Sequence, residues 1–293
     1  MAKEHIKQWQ IGDVQVTRLV EVNAHQDPFT MLSTECEPDM AKHYPWLMPN
    51  FATPQGIMKI SFQAFALKTP EKTIIVDTCI GEGRVREFEI FTHMQSDYLE
   101  DLAAAGYDPD AADVVLCTHL HFDHVGWNTR AQNGRWVPTF PNARYLFSRR
   151  EYQHWEKVRK DGGAHGHLDH FVDAIDPVVE AGLVDLIDDA HQVCREVSLF
   201  PTPGHTPGHV SVLIRSRGQE AVITGDLMHH PIQLIRPDLP VNADSDKVQG
   251  AATRKAFCER FANRDVTVIG THFCEPTAGR IVSDKTNWRL VWE

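Results

Sequence analysis

Thr118-His119-Leu120-His121-Phe122-Asp123-His124-Val125-Gly126 places four possible metal ligands within six residues. The stretch follows residues 113–117, an apolar run of the buried-strand type. While the chain stays extended, residues two apart share a face, so His119 and His121 point the same way. Asp123 suits the first turn of a following helix, where a carboxylate meets the positive end of the dipole. Asp123 and His124 then turn toward the same point from a second direction. That density is enough to hold more than one ion.

Three further sites repeat the pattern of a ligand-type residue shortly after an apolar strand. Pro203-Gly204-His205-Thr206-Pro207-Gly208-His209 follows residues 197–201, with Pro and Gly fixing a tight loop. Thr224-Gly225-Asp226 follows 221–223, and Gly270-Thr271-His272 follows 266–269. Asp226 brings a carboxylate, which can bridge two metals. The set then holds His119, His121, Asp123, His124, His205, Asp226 and His272.

Around these points the pattern predicts a hairpin over 8–22 turning at Gly12-Asp13. Strands are predicted at 58–69, 73–78, 113–117, 144–148, 197–201, 210–216, 220–224 and 266–269. Helices are predicted at 92–105, 149–159, 171–181 and 247–262. Their alternation means a layered α/β architecture, and no repeat or linker divides residues 1–293, so one domain is expected. Residues 23–54 read as a long loop rich in Pro, Met and aromatics, the kind that serves as a lid or a dimer contact. The Gly- and His-rich stretch 161–170 lacks an anchoring strand. It reads as a mobile loop near the site, not a second metal centre.

Composition narrows the function. With 29 Lys and Arg against 40 Asp and Glu, the net charge of −11 disfavours nucleic acid and anionic membranes as partners. No run approaches the roughly 18 apolar residues of a membrane span. Residues 1–6 carry no apolar signal stretch, and the six cysteines are scattered without a CxxC pair. A cytoplasmic protein with reduced thiols is expected. The outlying count is 17 His.

The seven-residue set resembles that of the metallo-β-lactamase superfamily in its dinuclear hydrolase form, over roughly residues 58–272. The resemblance implies a four-layer αββα sandwich with two divalent ions at one edge, Zn²⁺ first, with Mn, Fe or Co also accepted by N/O ligands. It further implies that His119, His121 and His205 hold one ion, that Asp123, His124 and His272 hold the other, and that Asp226 bridges them. A bridging hydroxide would be the nucleophile, and a homodimer is the family habit.

Within the superfamily, Asp226 speaks against a true β-lactamase, and the acidic charge speaks against the RNA-processing branch. A mono-iron persulfide dioxygenase uses only part of the ligand set. A flavodiiron protein needs a flavin domain after His272. Glyoxalase II uses a basic patch near its C-terminus, and no comparable cluster occurs here. The leading readings are a lactonase of the quorum-quenching type and an aryl ester or phosphotriester hydrolase like methyl parathion hydrolase, with a persulfide dioxygenase-like or glyoxalase II-like enzyme as the lesser alternatives. The lactonases commonly carry Tyr three residues after the bridging Asp, where this chain has His229.

The expected reaction is therefore hydrolysis of a small, fairly apolar lactone or ester. Asp123 is the candidate proton shuttle and His229 the candidate oxyanion donor. Phe29, Met31, Trp46, Met48 and Trp127 are candidate walls for the substrate.

Overall fold

Runs such as Ile74-Ile75-Val76 and Val114-Val115-Leu116 have no polar alternation, which suits strands buried on both faces. The computed structural model describes residues 6–26, 32, 36–37, 39–162, 170–283 and 287–292. Its strands are β1 (Lys7–Ile11), β2 (Val14–Gln26), β3 (Met58–Lys68), β4 (Thr73–Val76) and β5 (Val114–Leu116). The small hairpin β6 (Thr129–Gln132) and β7 (Arg135–Pro138) follows, then β8 (Arg144–Ser148) and β9 (Val184–Ile187). The chain closes with β10 (Val197–Pro201), β11 (Val210–Ser216), β12 (Gln219–Ile223), β13 (Val266–Ile269), β14 (Ala278–Ser283) and β15 (Trp288–Val291).

Seven strands form one sheet in the order β1-β2-β3-β4-β5-β8-β9, and β10 to β15 form a second in sequence order. The pairs β4–β5, β5–β8, β8–β9 and β12–β13 are parallel. The helices are α1 (Tyr98–Ala104), α2 (Phe122–Val125), α3 (Arg149–Lys160), α4 (Phe171–Ala174), α5 (Asp176–Glu180), α6 (Ile232–Ile235) and α7 (Lys247–Phe261).

Side-chain alternation sorts the core into layers. Ile74, Val76, Val114 and Leu116 meet Val197, Val212, Ile223 and Ile269 between the two sheets. Ile75 and Val115 face the other way, onto Leu102 of α1, Trp155 of α3 and Phe171 of α4. Val222 and Val268 face outward from the second sheet, onto Phe257 and Phe261 of α7. These are the four layers expected, helix on sheet on sheet on helix.

Several local expectations need correction. β2 runs on to Gln26, so 23–26 is strand. Within 32–54, Leu32, Met40, Leu47 and Phe51 are buried against the outer face of the second sheet. The helix expected over 92–105 starts only at Tyr98, since His93 takes a positive φ of 54° that a helix cannot contain. The helix expected over 171–181 breaks into α4 and α5, because Pro177 has no N–H for a continuous ladder. Four short strands with mixed polarity, β6, β7, β9 and β15, gave no usable periodicity, and β14 was missed with them.

Candidate active site

The site lies where the strands end. β4 delivers Asp77, β5 runs into residues 118–124, the β10–β11 turn carries His205, β12 delivers Asp226, and β13 delivers His272. Carboxyl ends of sheet strands are the usual place for a ligand in α/β proteins, because the chain there is free to form loops over a rigid base. α2 begins at Phe122, and Asp123 stands in its first turn as expected.

Two donor sets converge at this edge. His119, His121, His205 and Asp226 form one, and Asp123, His124, Asp226 and His272 form the other, each with donor atoms within 4.8 Å of one another. Asp226 faces both. Its Oδ2 lies 3.3 Å from His205 Nε2 and 3.6 Å from His119 Nε2, while its Oδ1 lies 3.1 Å from both His124 Nε2 and His272 Nε2. Asp123 Oδ2 completes the second set at 3.5 Å from His124 Nε2 and His272 Nε2.

The donors fit metal ions. Around a tetrahedral ion with bonds of about 2.0–2.1 Å, donors sit roughly 3.3 Å apart, near the spacings found. His119 Nε2, His124 Nε2 and Asp226 Oδ1 are buried with no hydrogen-bond partner, an arrangement that costs free energy unless a cation satisfies it. Burial alone would raise the Asp226 carboxyl, but His124, His272, His229 and His119 outweigh it and hold the group well below the usual range.

Three of the rings are aimed from behind. His124 Nδ1 is 3.0 Å from Asp77 Oδ2, and Asp77 also accepts from Thr118 N at 2.8 Å. His205 Nδ1 is 3.0 Å from Asp244 Oδ1, whose other oxygen accepts from Arg254 Nη1 at 3.2 Å. His272 Nδ1 donates to the Ser61 carbonyl at 2.8 Å. Such partners fix the tautomer and the ring plane. His209, beside the site, is buried and its pKa is lowered to about 3, with burial as the main cause. Its Nε2 accepts from Asp226 N at 2.8 Å and its Nδ1 faces the Thr202 carbonyl at 3.1 Å. Gly225 has φ +57°, and a Cβ there would lie 2.5 Å from His209 Nε2, so only glycine lets Asp226 sit this way.

The other expected residues divide. His229 is in the site, stacked on the His272 ring at 5.1 Å, with Nε2 at 3.0 Å from Asp226 Oδ2. Its Nε2 thus faces the Asp226 carboxylate. Trp127 is buried in the cluster beneath the site, stacked on Tyr98 at 5.4 Å and donating to Glu21 at 2.6 Å. It supports the loop and does not wall the cleft. Glu21 reaches it because β2 shifts register between Val20 and Val22.

Trp46 and Met48 are partly buried against the core of the second sheet. Phe29 and Met31 lie outside the described residues, as does most of 161–170. The end of that stretch is anchored, since His170 Nε2 donates to the Leu120 carbonyl at 2.8 Å.

Sequence reasoning missed Asp77, Asp244, Glu151 and His209. Asp77 follows an apolar strand, the same signal that located the ligands. It also missed an aromatic row beside the site: Phe62 is 5.2 Å from the His272 ring, Phe91 is 5.0 Å from Phe62, and Phe122 is 5.9 Å from Phe91. Beyond them Phe88 and Ile90 are exposed, the latter 66%. No helix among the described residues is long and apolar enough to cross a membrane.

N-acyl homoserine lactonase AiiA of Bacillus thuringiensis subsp. kurstaki is 28% identical over 186 residues, 58% of this chain and 65% of its own length. The chain therefore spans less than two thirds of that relative. Among solved structures, the hydrolase AbOPH is 25% identical with a TM-score of 0.81, over 99% of this chain and 98% of that one. The dizinc quorum-quenching lactonase AidC, solved with its product, is 22% identical with a TM-score of 0.80, over 98% of this chain and 97% of that one. The model of the metallo-beta-lactamase superfamily matches residues 63–272, which include all seven expected ligands. The chain belongs to the metallo-beta-lactamase superfamily.

Proposed function

We propose that this protein is a two-metal hydrolase that opens lactones bearing an apolar acyl chain. The observation that carries the reading is Asp226, which turns one oxygen to each donor set. His119, His121 and His205 would hold one ion and Asp123, His124 and His272 the other, with zinc first among the metals. When bound, two such cations lower the pKa of water and polarise a carbonyl.

The chain's own groups do the rest. His229 donates from Nε2 to Asp226 Oδ2 and steadies that carboxylate. Asp123, 11% exposed and so the more open carboxylate of the two, carries the proton to the leaving oxygen. Phe62, Phe91 and Phe122 offer an apolar wall for an acyl chain. The relatives named as N-acyl homoserine lactonases support the substrate class. The proposal extends to a cytoplasmic homodimer. Cys79, Cys117, Cys194, Cys258 and Cys274 are buried thiols without a disulfide among the described residues, which supports a reducing compartment.

The test is proton release by the metal-loaded enzyme across lactones of differing ring size and acyl length. A kcat/KM above about 10⁴ M⁻¹s⁻¹ is expected for the preferred lactone. It should rise by up to about 4-fold per added CH₂ while the chain stays on the wall, since each buried methylene contributes about 0.8 kcal/mol. Flat traces with every lactone would sink this reading. They would favour aryl esters or phosphotriesters, the second reading, to which His229 already points.

A further inference from the structure

Glu151 is a buried carboxylate, 1% exposed, that the proposed chemistry does not use. It occupies the third position of α3, and its N–H donates to the capping Ser148 Oγ at 3.2 Å. In the usual capping box such a glutamate folds back onto the cap's own N–H. Here the carboxylate turns away from the helix. Its Oε1 accepts from Leu120 N at 3.2 Å and Trp155 Nε1 at 2.7 Å, and its Oε2 accepts from Gly208 N at 3.0 Å.

Those two backbone donors sit on different ligand loops. Leu120 lies between His119 and His121, and Gly208 lies three residues after His205. All three histidines belong to the first donor set. Trp155, one turn along α3, also meets the His121 ring edge-on at 5.3 Å. The approach is tight by construction: a Cβ at Gly208 would lie 2.2 Å from Glu151 N.

We propose that Glu151 is a positioning residue that clamps the 118–121 and 203–209 loops together and so sets the metal affinity of the first donor set. The proposal rests on the two-metal reading above. The second set has a different footing. His124 leans on Asp77 and His272 on the Ser61 carbonyl, and neither of these is among the hydrogen-bond partners of Glu151 in the described residues. A charged acceptor shared by several N–H donors forms stronger bonds than a neutral one. Loss of a partner behind a ligand commonly weakens metal binding about 10–100-fold.

The test is Glu151→Gln in the full chain. The variant keeps the shape but turns an NH₂ toward one of three N–H donors. Metal-free protein is titrated with Co²⁺ and followed by its visible absorption, with His121→Ala and His272→Ala marking the signatures of the first and second sets. The expected result is a first-set affinity about 10–100-fold weaker and a second-set affinity unchanged. Equal weakening of both sets, or no change in either, would overturn the proposal.

Should the variant fail to fold, amide proton exchange of the wild-type protein is the second measurement. Leu120 and Gly208 amides must both be strongly protected in the metal-free form, and rapid exchange at either one overturns the clamp. Neither readout depends on lactone turnover, so an error in the substrate class leaves this test intact.

Discussion

Asp226→Asn is expected to lower turnover by about 10³-fold, equivalent to about 4 kcal/mol of barrier. It is also expected to lower bound metal in both donor sets at once. Both effects come from one geometry. Asp226 is 2% exposed, with Oδ2 toward His119 and His205 and Oδ1 toward His124 and His272. The amide keeps the size but removes the negative charge and replaces one donor oxygen with NH₂, which cannot ligate. Metal analysis beside steady-state kinetics checks this. Unchanged metal content with unchanged rate would remove Asp226 from the bridging position.

The second large effect is expected at Asp77, which belongs to neither donor set. It is fully buried, and its carboxylate accepts from Thr118 N at 2.8 Å and from Thr118 Oγ1, and holds His124 Nδ1 at 3.0 Å. Asp77→Ala leaves those buried donors without partners. The cost is about 3–5 kcal/mol, or a fall in Tm on the order of 10 °C for a chain of this size. Ion affinity in the second set should fall about 10–100-fold as His124 loses its orientation. Asp77→Asn should do less harm, since Asn also tolerates the positive φ of 57° found here. Calorimetry and metal titration of the two variants give the comparison. An alanine variant that melts with the wild type and binds metal as tightly would refute the role.

The residues of the two donor sets were legible in the sequence because chemistry and local structure point the same way at each of them. His119, His205, Asp226 and His272 all stand just past apolar strands, and strand ends can be read from apolar runs alone. Asp77 shares that signal, but a single Asp after a strand carries no spacing motif. Glu151 and Asp244 could not be found this way. Each acts across a long separation, 31 residues from Leu120 and 39 from His205, and only the folded chain brings them together.

Trp127 shows the opposite error. It follows the metal motif closely, yet the chain turns at Gly126 and sends the ring into the core against Tyr98. Nearness in sequence does not give direction. The short strands β9, β14 and β15 were lost for a different reason. At four to six residues, each is held by its neighbours in the sheet and not by a pattern of its own.

The most direct test of the two-metal account is lactone hydrolysis by metal-stripped protein as zinc is added in measured equivalents. The rate should climb and level off at two ions per chain, with the stripped protein inactive. A plateau at one ion, or activity that ignores zinc altogether, would contradict it.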